Sequence, residues 1–191
     1  MKALSKAGEH TIHNLTEAFR RLYRQKPIDR ISIREITDIA GYNRSTFYLY
    51  FTDIYDLADY AENRLLEKIS AEVQAILDED ENIIPGDFLV RMSSVSATYA
   101  EELYLFSASP SFQRKFKKAV EPNFNRLLHV DKERKEYDFF ISLLISVMIH
   151  NLNYYHQNKD IVTMEELINY THTLIIPGVE QYLKIDRSRS R

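Results

Sequence analysis
The chain has no cysteine and no tryptophan, and only 4 glycines and 5 prolines in 191 residues. Without cysteine there can be no disulfide scaffold, zinc-thiolate centre, iron–sulfur cluster or thiol nucleophile. So little glycine and proline does not suit a turn-dense β-sandwich or a Gly-rich nucleotide fold. No apolar run approaches the roughly 20 residues of a membrane span, so no membrane partner is expected. The first residues, MKALSKAGEH, lack the apolar segment of a secretory signal. No P-loop, GxSxG, HExxH or GxGxxG pattern occurs, and neither an enzyme nor a cofactor is expected. His10 and His13 are three apart but have no third ligand nearby, so no metal is expected. Hydrophobic residues make up 45% of the chain, enough to bury a core. What remains is a cytoplasmic, all-α protein.

Charge is unevenly placed. Lys and Arg number 25 against 28 Asp and Glu, a net charge of −3. Residues 1–51 nevertheless hold nine basic and five acidic side chains, and the rest of the chain is acidic. A basic head on an acidic body can approach a polyanion by one end.

Periodicity divides the head into short helices. Ile12, Leu15, Phe19 and Leu22 form one stripe over 9–25, which Pro27 ends. Ser32 followed by Glu35 is a capping-box pattern for a helix over 33–40, with Ile33, Ile36, Ile39 and Ala40 on one side. Gly41 is a C-cap residue, and Asn43 can cap a helix over 44–50 with Phe47 and Phe51 on its apolar side. Asp53 opens a long helix to about Leu77, striped by Ile54, Leu57, Ala61, Leu65, Ile69, Val73 and Ile76. The acidic stretch 78–86 reads as a loop. Helices are then expected over 87–106, 110–128, 132–157 and 163–183, before a basic tail, DRSRSR.

Two short helices joined by Ala40-Gly41-Tyr42-Asn43 form a helix-turn-helix pattern. In such a motif the second helix enters the major groove, which is about 12 Å wide. Arg44 can pair with guanine or phosphate. Ser45 and Thr46 can donate to phosphate or touch a thymine methyl, and Tyr48 and Tyr50 can offer hydroxyls to phosphate. Ser32, Ile33, Arg34 and Asn43 complete the expected DNA-binding set. The competing reading is an ordinary helix pair with a polar outer face.

The stretch Ile31–Leu57 resembles the TetR family of transcriptional regulators. The likeness rests on Ile36, Ile39, Ala40-Gly41, Ser45-Thr46-Phe47-Tyr48, Phe51 and Leu57. It covers roughly residues 9–60. Two positions depart from it. Ile54 stands where the family often has a phosphate-binding Lys, and Tyr42-Asn43 replaces a smaller turn. Lys26, Arg30 and Arg34 are candidates to make up the missing charge. The resemblance implies a three-helix DNA-binding head over 1–52, joined by a long helix to a helical effector-binding and dimerisation domain over 53–191. It implies a homodimer on a palindromic double-stranded operator, answering to an unidentified small-molecule effector. A repressor is expected, with an activator or an adaptor that has lost DNA binding as alternatives.

The helix 137–156 is apolar on two faces, so it must be covered on two sides. A dimer interface is expected from Tyr137, Ile141, Leu144 and Met148 with Leu167, Tyr170, Leu174 and Gly178; the alternative is that both faces are internal core. Expected pocket residues are Tyr99, Tyr104, Phe106, Phe112 and Phe116, in an aromatic stretch that also includes Phe124, together with His150 and Tyr154. Aromatics are also ordinary core, and a lone His on an apolar face is often a satisfied core residue.

Overall fold
The computed structural model describes residues 5–83, 85–128, 136–175, 177–178 and 181. Among them there are helices and no strand. The expected residues 132–135, most of the continuation of the last helix to Leu183, the basic tail and the Phe124 side chain lie outside what is described. The chain forms two compact units, Met1–Arg64 and Leu65–Arg191. The first unit therefore includes about three helical turns beyond the 52/53 boundary expected from sequence.

The first unit contains α1 (Lys6–Tyr23), α2 (Ile33–Ala40), α3 (Arg44–Tyr48) and the beginning of α4 (Ile54–Glu79). Local signals set each start. Ser5 accepts from the Gly8 amide, Ser32 from Glu35 and Asn43 from Thr46, so each cap satisfies an otherwise orphaned N–H. After Pro27, one 3₁₀ turn over Ile28–Arg30 leads to α2. Leu15, Phe19, Ile36, Phe47, Leu57 and Ala61 are fully buried and join all four helices in one core. Phe47 is its hub from α3, with its ring 5.7 Å from Phe51. Ile39 departs from expectation: it is 42% exposed, because α2 turns Ile36 and Thr37 fully inward.

In the second unit, the rest of α4 is followed by α5 (Pro85–Thr98), α6 (Ala100–Ser107), α7 (Pro110–Leu128), α8 (Tyr137–Gln157) and α9 (Met164–Leu174). The single helix expected over 87–106 is two. Tyr99, at φ −103° and ψ 8°, separates them. The Thr98 hydroxyl donates back to the Ser94 carbonyl at 2.8 Å and Ser93 to Val90 at 2.6 Å. Such back-bonding competes with the helical ladder and bends it. α5 packs on α9 and α8 on α6, α7 and α9. Phe106, Leu65, Leu77 and Ile141 are fully buried between them.

Candidate nucleic-acid interface
The turn between α2 and α3 is fixed by backbone and side chain together. Gly41 takes φ +76°, a left-handed conformation that costs an L side chain strain. Its neighbour Tyr42 donates its amide to the Thr37 carbonyl at 2.9 Å. The Tyr42 hydroxyl accepts from Asn14 of α1 at 3.2 Å. The bulky residue at the turn is thus a strut between α1 and the motif.

A second tie holds the start of α2. Ser32 and Glu35 complete the expected capping box, and Lys26 donates to Glu35 Oε1 at 2.6 Å. The Lys26 hydrogen bond, followed by the Ser32 amide and hydroxyl, holds the Glu35 carboxyl down at about 2. Lys26 is therefore engaged within the head. Arg34 leans toward Asp38 at 3.6 Å. Of the three candidates for replacing the charge missing at Ile54, Arg30 alone has no partner among the described residues.

The exposed face of α3 carries the residues expected to read DNA. Arg44 is exposed and its side chain has no hydrogen bond or ion pair among the described residues. Asn43 Oδ1 accepts from the Thr46 amide at 2.8 Å, the Ser45 hydroxyl at 2.6 Å and the Thr46 hydroxyl at 2.9 Å. The Ser45 and Thr46 hydroxyl protons are turned to the cap oxygen here, so donating them to phosphate requires these hydroxyls to rotate while the Thr46 amide keeps the cap. These hydroxyls keep acceptor lone pairs, and Thr46 keeps its methyl. Asn43 keeps its amide donors. Tyr48 is 57% exposed and its ring meets Phe47 edge-on; Tyr50 is half-buried. Ser32 is exposed and Ile33 half-buried at the start of α2.

Leu49 follows α3, lies off the Phe47–Phe51 stripe and is 77% exposed beside these residues.

In the second unit, α4 to α9 surround a cavity of about 90 Å³. Of the expected pocket residues, Phe116 lines it. Phe106 and Phe112 are core, 5.7 Å apart between centroids. Tyr104 stacks on His156 at 3.6 Å, and Tyr99 is half-buried at the α5–α6 break. His150 is exposed and Tyr154 43% exposed, their rings 6.1 Å apart. Among the expected interface residues, Tyr137, Ile141, Leu144 and Leu167 are buried in the unit's own core, and Leu144 and Met148 line the cavity. Periodicity identifies apolar faces without saying which one turns inward. Tyr170 (55%), Leu174 (79%) and Gly178 are exposed, as are Phe139 (65%) and Tyr154 on α8.

A short helix braced on three others, a tight left-handed turn and an exposed cationic reading face define a helix-turn-helix DNA-binding head. Residues 15–61 match the family model described as bacterial regulatory proteins, tetR family. Over those residues the chain is similar to the DNA-binding head of TetR-family regulators. Solved structures share the whole helical fold. A TetR transcriptional regulator from Streptococcus agalactiae 2603V is 19% identical, with a TM-score of 0.65 over 89% of this chain and 96% of that one. The fatty acid degradation regulator FadR from Bacillus halodurans is 13% identical, with a TM-score of 0.61 over 93% and 98%. The dihydroxyacetone kinase operon activator DhaS is 16% identical, with a TM-score of 0.56 over 90% and 97%. No curated protein matches the sequence significantly. Among the described residues, no helix is long and apolar enough to cross a membrane.

Proposed function
We propose that the protein is a homodimeric, ligand-responsive repressor that binds a palindromic operator in the cytoplasm, with a small-molecule effector and no other cofactor. The observation that carries this reading is the double use of α4. Leu57 and Ala61 belong to the buried core of the DNA-binding head, while Ile69 and Val73 line the cavity of the second unit. An effector that repacks the cavity wall acts on the same helix whose beginning is built into the head.

Dimerisation is supported by the exposed apolar residues of α8 and α9. The exposed Phe139 and Tyr154, the half-buried Leu143 and Val147 and the exposed His150 recur at three- and four-residue spacing along one stripe of α8, and the exposed Tyr170 and Leu174 lie on α9. In this reading, the partner-facing role passes from the buried Tyr137, Ile141 and Leu144 to that stripe. Two reading helices about 34 Å apart would then meet successive major grooves. Phe139→Glu and Leu174→Glu together should turn a dimer into a monomer by sedimentation velocity. An unchanged dimer mass would move the interface elsewhere.

The test of the whole reading is selection from random DNA at two salt concentrations. A palindrome whose affinity falls steeply with salt is the expected result. Recovery of no sequence above background would remove the operator. The same fold serves a protein described as an operon activator. Reporter output with and without the gene decides the sign, and higher output in its absence is expected.

A further inference from the structure
From the cavity lining we infer the effector's chemical class: a small uncharged alcohol or phenol. The inference rests on the reading of this cavity as the effector site. Every lining side chain among the described residues is neutral. A bound carboxylate, phosphate or ammonium would find no opposite charge there, and burying an ion unpaired is strongly unfavourable. The walls are aliphatic and aromatic, including Ile69, Val73, Phe88, Leu103 and Phe116.

Three polar groups in that wall have unused hydrogen-bonding capacity. Asn151 donates to Thr171 Oγ1 at 2.7 Å and, at 3.5 Å, to the Leu167 carbonyl; its Oδ1 accepts from no described residue. Asn123 and Ser96 also line the cavity, and their side chains have no hydrogen-bond partner among the described residues. One acceptor with two groups able to donate is the complement of a hydroxyl, which both gives and takes a hydrogen bond. A pure hydrocarbon would leave these groups dry and unpaired, which is costly.

Size follows from volume and from methionine. A dry cavity of about 150 Å³ holds benzene, and this one is about 90 Å³. Four methionines occur in the chain, and Met92, Met148 and Met164 all line this cavity, leaving only Met1 elsewhere. Methionine is unbranched and polarizable, so such a wall can move aside for a ligand larger than the resting space. The molecule is of four-carbon to single-ring size.

The methionines also supply the test. The full-length protein, labelled with ¹³C at the methionine methyls, carries three reporters at the site and one control at Met1. It is titrated with 1-butanol and phenol, and separately with butyrate and butylammonium. The expected result is saturable movement of the Met92, Met148 and Met164 resonances with the neutral probes, at least tenfold tighter than with either ion. If an ion moves these methyls as readily, the neutral class is overturned while the cavity stands as a binding site. If no probe moves them, the reading of the cavity as an effector site falls with the inference. Ser96→Ala and Asn123→Leu, folded by the same spectrum, should each weaken 1-butanol about 2- to 10-fold. Unchanged affinity in both would overturn the hydroxyl assignment.

Discussion
Head and body hold their helices in different ways. In the head, α1, α2 and α3 each begin at a side-chain cap, and a left-handed glycine ends α2. Polar atoms there are committed to internal geometry: Asn43 to its own helix, Tyr42 to Asn14, Lys26 to Glu35. In the body the pattern is mixed: α7 and α9 begin at caps on Ser109 and Thr163, whereas α6 and α8 begin at Tyr99 and Glu136 without a side-chain cap bond and rely on long apolar faces. The head commits its polar atoms to a fixed turn, whereas the body encloses space beside methionines. The first suits reading a fixed groove and the second suits adapting to a ligand.

The largest test of this contrast is Phe47→Ala. Phe47 is fully buried and ties α3 to the core. Its loss should cost about 3–5 kcal/mol in the head and abolish operator binding. The checks are hydrogen exchange of α1–α3 and a gel shift. Protection unchanged in α3 would mean that the reading helix is held by its cap alone.

Arg44→Ala probes presentation without touching the core. Arg44 is exposed and its side chain has no partner among the described residues, so folding stability should stay the same. Operator affinity should fall by about 1–3 kcal/mol, measured by titration against the selected palindrome. A loss equal on specific and random DNA would assign Arg44 to phosphate and leave base reading to Thr46 and Tyr48.

The same contrast explains what the sequence makes legible. Ser32, Glu35, Gly41 and Asn43 act within a few residues of themselves, so the caps and the turn can be read from residue types and spacing alone. The stripe Ile12, Leu15, Phe19, Leu22 can be too, because all four face one core. The body resists such reading because its decisive contacts are distant in sequence. Tyr104 meets His156, and Asn151 meets Thr171. An apolar face on α8 looks alike in sequence whether it meets core, cavity or partner. Even in the head, two ties escape residue spacing. Lys26 reaches Glu35 only because the chain folds back after Pro27, and Asn43 locks Ser45 and Thr46 by a choice of rotamer.

A smaller effect isolates the turn. A Cβ added at Gly41 would meet nothing within 4 Å, so Gly41→Ala tests the left-handed backbone and not crowding. The expected cost is about 1–2 kcal/mol in a thermal melt. A negligible change would show that the turn tolerates another conformation and that the Tyr42–Asn14 strut holds it.

The smallest predicted effect compares one motif in two settings. Ser32–Glu35 in α2 and Thr163–Glu166 in α9 are both complete capping boxes. Glu35 is held at about 2, first by Lys26 and then by Ser32, whereas Glu166 is lowered by Thr163 alone. A depressed carboxyl stabilises the fold above its ordinary value near 4.5 and loses that contribution as pH falls toward its folded value. Stability of the head should therefore decline between about pH 4.5 and 2, and Glu35→Gln should flatten that limb in acid melts. Glu166→Gln should flatten the body's limb less. Added salt should shrink the Glu35 contribution and spare that of Glu166, because only the former rests on a partly exposed ion pair. Equal salt sensitivity would mean that Lys26 contributes nothing beyond the cap, and the head would then be held by the same local devices as the start of α9.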